Sequence, residues 1–135
     1  MPPYVCPRQT VLRNLVSIRF ADAEVLLKTK IPQRLHGAIY MAGYGIECAL
    51  KARICGDRGQ DRLGQEFWHH DLRRLAQETH KWAALPADDP HRDALVVLQT
   101  AWDVQMRYAL PNRKRTEVRR FIEEAKDFTT WLLQN

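Results

Sequence analysis

The stretch Ala38-Ile39-Tyr40-Met41-Ala42-Gly43-Tyr44-Gly45-Ile46-Glu47-Cys48-Ala49-Leu50-Lys51-Ala52 decides the fold. Read at the helical period, its apolar and small residues point in almost every direction. A helix apolar all round is packed by neighbours on several sides, so this one is expected at the centre of the molecule. Gly37, Gly43 and Gly45 each cost about 1 kcal/mol relative to Ala in a helix interior. The compensation they imply is close approach of another helix, which a β-carbon would block. One polar row survives on this helix. His36, Tyr40, Tyr44, Glu47 and Lys51 follow steps of four, four, three and four, which fit one face about 80° wide at roughly 100° per residue. Glu47 precedes Lys51 by four, the better orientation for a helical ion pair. The row reads either as a structural seam or as the lining of a cleft. In the first case the two tyrosines bury their rings, keep their hydroxyls bonded and anchor a helix or subunit contact.

Around this helix the chain punctuates itself into further helices. The central helix itself spans about 32–55, with Gly56 as its stop signal. Before it, Val11, Leu12, Leu15, Ile18, Ala21, Val25 and Leu26 recur mostly at three- and four-residue steps and predict a helix over 8–28. After it, 56–65 (GDRGQDRLGQ) reads as an exposed polar loop. A short helix fits 71–81, with Asp71 as N-cap and Leu72, Leu75 and Ala76 as its apolar stripe. A fourth runs over 91–108, capped by Asp88 or Asp89 with Pro90 in its first turn, and Leu95, Leu98, Trp102 and Met106 along one side. A fifth covers 116–133, with Thr116 as N-cap and Val118, Phe121, Ile122, Ala125, Phe128 and Trp131 as its buried side. No segment alternates apolar and polar residues for long enough to be a strand. The expected fold is an all-α, up-and-down bundle of four to five helices in a single domain, 1–135.

Composition agrees and narrows little. The 135 residues are 45% hydrophobic and 27% charged, ordinary for a globular chain and unlike a disordered one. No apolar run reaches the eighteen or so residues of a membrane span, so no membrane association is expected. The N-terminus, Met-Pro-Pro-Tyr-Val-Cys-Pro, has neither a basic n-region nor an apolar h-region, so the cytoplasm is the default location. Cys6, Cys48 and Cys55 form no C-x-x-C pair and read as reduced thiols, with Cys48 in the core. The net charge of +5 rests on 21 Lys and Arg against 16 Asp and Glu. The one local excess lies at 107–120, where Arg107, Arg113, Lys114, Arg115, Arg119 and Arg120 face only Glu117. It reads as a solvated loop and helix start, or as a phosphate-contacting patch.

The central run from Tyr40 to Ala52 resembles the AGYAVECALKA helix of prokaryotic HEPN-domain proteins. His70-Asp71-Leu72 with Leu75 resembles the HDLxxL that follows it in that family, and Arg107-Tyr108 with Pro111 resembles the RYP segment before the last helix. Together these matches span roughly 30–125. The resemblance implies a helical bundle that dimerises. It also implies RNA or nucleotide binding, or partnership with a nucleotidyltransferase-type antitoxin, in a toxin–antitoxin or defence setting. Arg107, Tyr108, Arg113, Lys114, Arg115 and Arg119 are then the candidate nucleic-acid or nucleotide contacts. Some members are metal-independent endoribonucleases, with four to six residues between an Arg and a following His, paired across the dimer. Here no His follows His91, so that pair is missing from its usual place near the last helices. By count alone Arg74 and His80 have five residues between them, but on one continuous helix they would diverge by about 120°.

Metal-independent RNA cleavage needs a base or acid near the 2′-hydroxyl and a cation for the developing phosphorane charge. His70, His80 and Arg74 are the catalytic candidates for that alternative. For His70 the plainer expectation is a cap or a bond to the central helix. The adjacent His69 and His70 diverge, and no Cys or carboxylate spacing completes a zinc site, so no metal is expected. There is no GxxxxGK[ST], no GxGxxG opening a helix and no GxSxG, so no cofactor is expected. A third reading is an interaction protein with no nucleic-acid partner.

Overall fold

A computed structural model describes residues 6–102 and 113–134. Six α-helices follow in chain order: α1 (Gln9–Lys28), α2 (Arg34–Asp57), α3 (Leu72–Gln77), α4 (His80–Ala83), α5 (Pro90–Ala101) and α6 (Arg115–Leu133), with a 3-10 turn at Gln65–Phe67. Among the described residues there is no strand, only an isolated bridge between Arg8 and Arg62. The architecture is the all-α bundle that periodicity predicts, and no described helix is long and apolar enough to cross a membrane.

Helix α2 is the spine. It packs against α1, α6 and α3, and Ala38, Ala42, Ile46, Ala49 and Leu50 are buried around its circumference. The glycines do what a close approach requires, with two different neighbours. A β-carbon on Gly45 would lie 3.0 Å from the Phe20 ring of α1, whereas one on Gly43 would overlap the indole of Trp102 outright. So Gly45 admits a helix, and Gly43 admits a tryptophan from the end of α5.

Several helix ends differ from the sequence expectation. Helix α2 runs through Gly56 and stops where Gly59 takes a positive φ of 62°. The Gly59 N–H donates to the Gly56 carbonyl at 3.2 Å and the Gln60 N–H to Cys55 at 2.9 Å, the pair of bonds that closes a helix through a left-handed residue. The single helix expected over 71–81 is two helices. Thr79 is extended (φ −96°, ψ 144°); its hydroxyl donates to the Ala76 carbonyl at 2.7 Å and accepts from the Trp82 N–H at 3.3 Å. One side chain thus ends α3 and starts α4. Helix α5 ends at Ala101, because Trp102 turns extended (φ −119°, ψ 122°) to seat on α2; the rest of the helix expected to 108 lies outside the described residues. Helix α6 starts one residue early, with Lys114 rather than Thr116 in the cap position and no side-chain cap. Of its expected buried side, Trp131 is only half-buried, and Thr129 and Leu132 are buried instead.

Helix α1 buries Leu12, Val16, Phe20, Ala23 and Leu27. Val11, Ile18 and Val25, part of the stripe that predicts the helix, are 47%, 49% and 65% exposed. The helix carries two apolar stripes, and periodicity alone does not say which one faces inward.

Helix α5 opens on Asp89, whose carboxylate accepts the His91 backbone N–H at 2.9 Å and pairs with the His91 imidazole at 2.7 Å. The backbone N–H, and then the imidazole, hold the Asp89 carboxyl below its ordinary value. A carboxyl with a lowered folded-state value stabilises the fold above its unfolded value, about 3.9, and that contribution is lost as pH falls through the lower, folded value. The expected result for Asp89→Asn is a lower urea midpoint at neutral pH and a gap from the parent that shrinks on titration below about pH 4. A gap of constant size from pH 7 to pH 3 would contradict this.

Candidate functional site

The polar row of α2 meets the start of α3. The Glu47 side chain is only 7% exposed; its Oε2 accepts from the Lys51 ammonium at 3.1 Å, and its Oε1 lies 2.7 Å from His70 Nδ1. A carboxylate already paired with an ammonium accepts from both sides, so Nδ1 carries the imidazole proton. In the neutral imidazole this leaves Nε2 as the ring's acceptor. The carboxylate thereby fixes both the tautomer and the orientation of His70, whose side chain is 46% exposed. The Asp71 carboxylate accepts the Arg74 N–H at 3.0 Å and caps α3, which sets His70 just ahead of the helix, over Glu47.

Aromatic rings brace the arrangement. The Tyr44 ring meets the His70 ring edge-on at 6.2 Å between centroids and the Trp102 ring at 5.7 Å. The Tyr40 and Tyr44 hydroxyls lie 2.8 Å apart, and the Trp102 indole N–H donates to the Tyr40 carbonyl at 3.1 Å. The expectation that the tyrosines bury ring surface and bond their hydroxyls describes this seam. The cleft expected along the row lies beside it instead, and none of His36, Tyr40, Tyr44 and Glu47 lines it. A cavity of about 900 Å³ is lined by Trp68, His69, His70, Arg73, Val96 and Trp102, among others. His36 is half-buried one turn before Tyr40.

His69 bridges two cavities. It also lines a smaller space of about 290 Å³ with Arg58, Glu66, Arg74 and Glu78. Burial, and then the Arg74 guanidinium, lower its pKa, and its Nδ1 accepts the Asp71 N–H at 3.2 Å. Arg74 therefore faces this smaller space. His80 sits on α4 across the break at Thr79, where its backbone N–H donates to Asp57 at 2.8 Å and its largely exposed ring lies 3.7 Å from the same carboxylate. Helix α3 does end before His80, and Arg74 and His80 have different surroundings on the two sides of that break. Of the three catalytic candidates, His70 alone lines the large cavity.

The basic cluster divides. Arg107 and Tyr108 lie outside the described residues. Arg113 donates to the Ala101 carbonyl at 3.3 Å, and the Arg115 guanidinium donates to the carbonyls of Leu27 and, at 2.7 Å, Thr29. Arg115 thus caps the C-terminus of α1. Lys114, Arg119 and Arg120 are exposed. The same device recurs elsewhere. Arg53 donates to Gln134 at 3.0 Å and Lys81 to Trp131 at the end of α6, and Arg92 donates to Leu85 at 2.8 Å after α4. Cations from distant positions neutralise the negative ends of helix dipoles, so part of the basic excess is structural. Sequence reading had no signal for Arg53, Lys81 and Arg115, which are remote in the chain from the carbonyls they meet.

Burial pushes the Cys48 thiol up to about 11, with Glu47 the next cause, so it is an unreactive core residue, as expected. Among the described residues no three His, Cys, Asp or Glu side chains converge where a metal ion would be held. No protein-family profile, no curated protein and no solved structure matches this chain.

Proposed function

We propose that the chain is a HEPN-like helical module that acts as a homodimer and binds RNA or a nucleotide in the cavity beside His70. The observation that carries this reading is the buried Glu47 carboxylate, which orients His70 on a wall it shares with Trp68 and Arg73. An indole face, a guanidinium and a fixed imidazole suit a base, a phosphate and a ribose hydroxyl respectively. The test is fluorescence titration with mononucleotides and short RNA. Trp68→Ala is expected to weaken binding by about 10- to 100-fold, the range for loss of one stacking side chain. Arg73→Ala is expected to weaken it and to reduce its dependence on salt. No binding to either ligand, or binding that both variants leave unchanged, would remove this reading.

The same geometry favours a second reading, metal-independent endoribonuclease. With Nδ1–H committed to Glu47, Nε2 can take the proton of a ribose 2′-hydroxyl. The 2′-oxygen then attacks phosphorus, the bond to the 5′-oxygen breaks, and the departing 5′-oxygen takes a proton from water, leaving a 2′,3′-cyclic phosphate and a 5′-hydroxyl end. Incubation with RNA in EDTA is expected to show cleavage that His70→Ala abolishes. Intact RNA, or cleavage by the variant at the parent rate, would exclude it.

A further inference from the structure

The outward stripe of α1 is symmetric in a way that bears on the dimer. Taking Val11 as zero and turning about 100° per residue, Asn14, Leu15, Ile18, Ala21, Asp22 and Val25 fall within a face about 120° wide. Its centre lies roughly opposite the buried stripe of Leu12, Val16, Phe20, Ala23 and Leu27. Val11, Ile18 and Val25 recur at steps of seven, the spacing that lets two helices pack along their length. Each of these three is about half exposed or more, at 47%, 49% and 65%, so they stand open among the described residues.

Reversal about Ile18 returns the same pattern: Val11 exchanges with Val25, Asn14 with Asp22 and Leu15 with Ala21. A surface whose polar and apolar levels survive reversal is complementary to itself, and self-complementarity is the requirement of a two-fold contact between identical chains. We propose that this face is where two copies of the chain meet, with their α1 helices antiparallel and Ile18 at the two-fold axis.

Direction follows from Asp22. Side by side in a parallel pair, the two Asp22 carboxylates would stand level and repel inside a largely apolar seam. In the antiparallel pair each stands level with the partner's Asn14 carboxamide, which can donate to it, while Leu15 is level with the partner's Ala21. The Arg19 guanidinium, 3.2 Å from Asp22 in its own chain, stays beside that carboxylate. Arg8 and Lys28 meet at the outer ends, where water screens them and Asp61 stands 3.7 Å from Arg8. A helix of this length runs about 30 Å, so the pair buries an area at the low end for specific interfaces and the dimer dissociates on dilution.

This inference rests on the dimeric part of the proposed function and is tested apart from the binding part. Sedimentation of the full chain over a concentration series is expected to show a monomer–dimer equilibrium. Ile18→Arg is expected to weaken it about a hundredfold or more, because two like charges would meet at the axis. Its unfolding midpoint should stay near that of the parent, since the side chain is exposed in the monomer. In a Cys6→Ser background, a mixture of Val11→Cys and Val25→Cys chains is expected to form a mixed disulfide dimer on oxidation. A parent chain that stays monomeric, a dimer indifferent to Ile18→Arg, or disulfide dimers of Val11→Cys alone would each overturn the proposal. A monomer that still binds RNA overturns this contact and leaves the binding reading intact. A dimer of this geometry that binds no nucleotide does the opposite.

Discussion

Gly43→Ala is expected to lower stability by about 3 kcal/mol and the thermal midpoint by about 10 °C. Helix propensity alone would have the opposite sign, since alanine is favoured over glycine by about 1 kcal/mol in a helix interior. The clash decides. The new β-carbon would overlap the indole of Trp102, which is buried against α2 with its N–H held by the Tyr40 carbonyl at 3.1 Å. The ring must leave, and emptying a tryptophan site costs about 3–5 kcal/mol. Gly37→Ala is the internal control. Its β-carbon would stand 3.4 Å from the Leu26 side chain, an ordinary contact, so the propensity gain of up to about 1 kcal/mol should appear as stabilisation. Thermal unfolding followed by circular dichroism reads both. Equal midpoints for Gly43→Ala and the parent would mean that Trp102 does not sit on Gly43.

Much of this molecule is legible from α2 alone. Apolar residues around the whole circumference place it at the centre, and the glycines announce a close neighbour. What the helix cannot reveal is the neighbour's identity, because Trp102 arrives from the far end of α5, and only after the chain has turned extended. Local chemistry made Asp71 and Asp89 readable as caps, since a cap is a contact within a few residues. The break at Thr79 is as local as those caps, since its hydroxyl bonds Ala76 and Trp82, but threonine also sits inside helices, so the sequence permits a stop there without requiring one. Helix α1 shows the limit of periodicity most sharply. Its two stripes are both apolar, and only the approach of α2 selects between them. The basic residues show a related limit. Clustering in sequence suggests a patch, but Arg115 turns inward to the end of α1, a contact between parts of the chain that are far apart in sequence. For the site, the row on α2 and the His70-Asp71-Leu72 segment are each visible, and a bond from His70 to the central helix is one of the two expectations for it; that Glu47 is the partner is tertiary and is not legible.

That bond yields the second large expected effect. Glu47→Gln removes the carboxylate bonded to Lys51 among the described residues, and the Lys51 side chain is only 12% exposed, so an ammonium with little water loses that counter-charge. Breaking such a pair from one side costs about 3–5 kcal/mol, whereas replacing both members with uncharged groups of similar volume is often close to neutral. The double variant Glu47→Gln/Lys51→Met is therefore expected to recover most of the lost urea midpoint, through a coupling that two independent sites would not show. Nucleotide or RNA binding should behave differently. In both variants a carboxamide, which can accept from or donate to Nδ1 of His70 by flipping, replaces a carboxylate that only accepts, so the imidazole loses its fixed tautomer in both, and binding should stay weak after stability has returned. The two readouts divide the roles of one residue. Recovery of stability without recovery of binding assigns Glu47 to the site as well as to the fold, whereas joint recovery would reduce the Glu47–His70 contact to packing and remove the main support for a functional cavity at the start of α3.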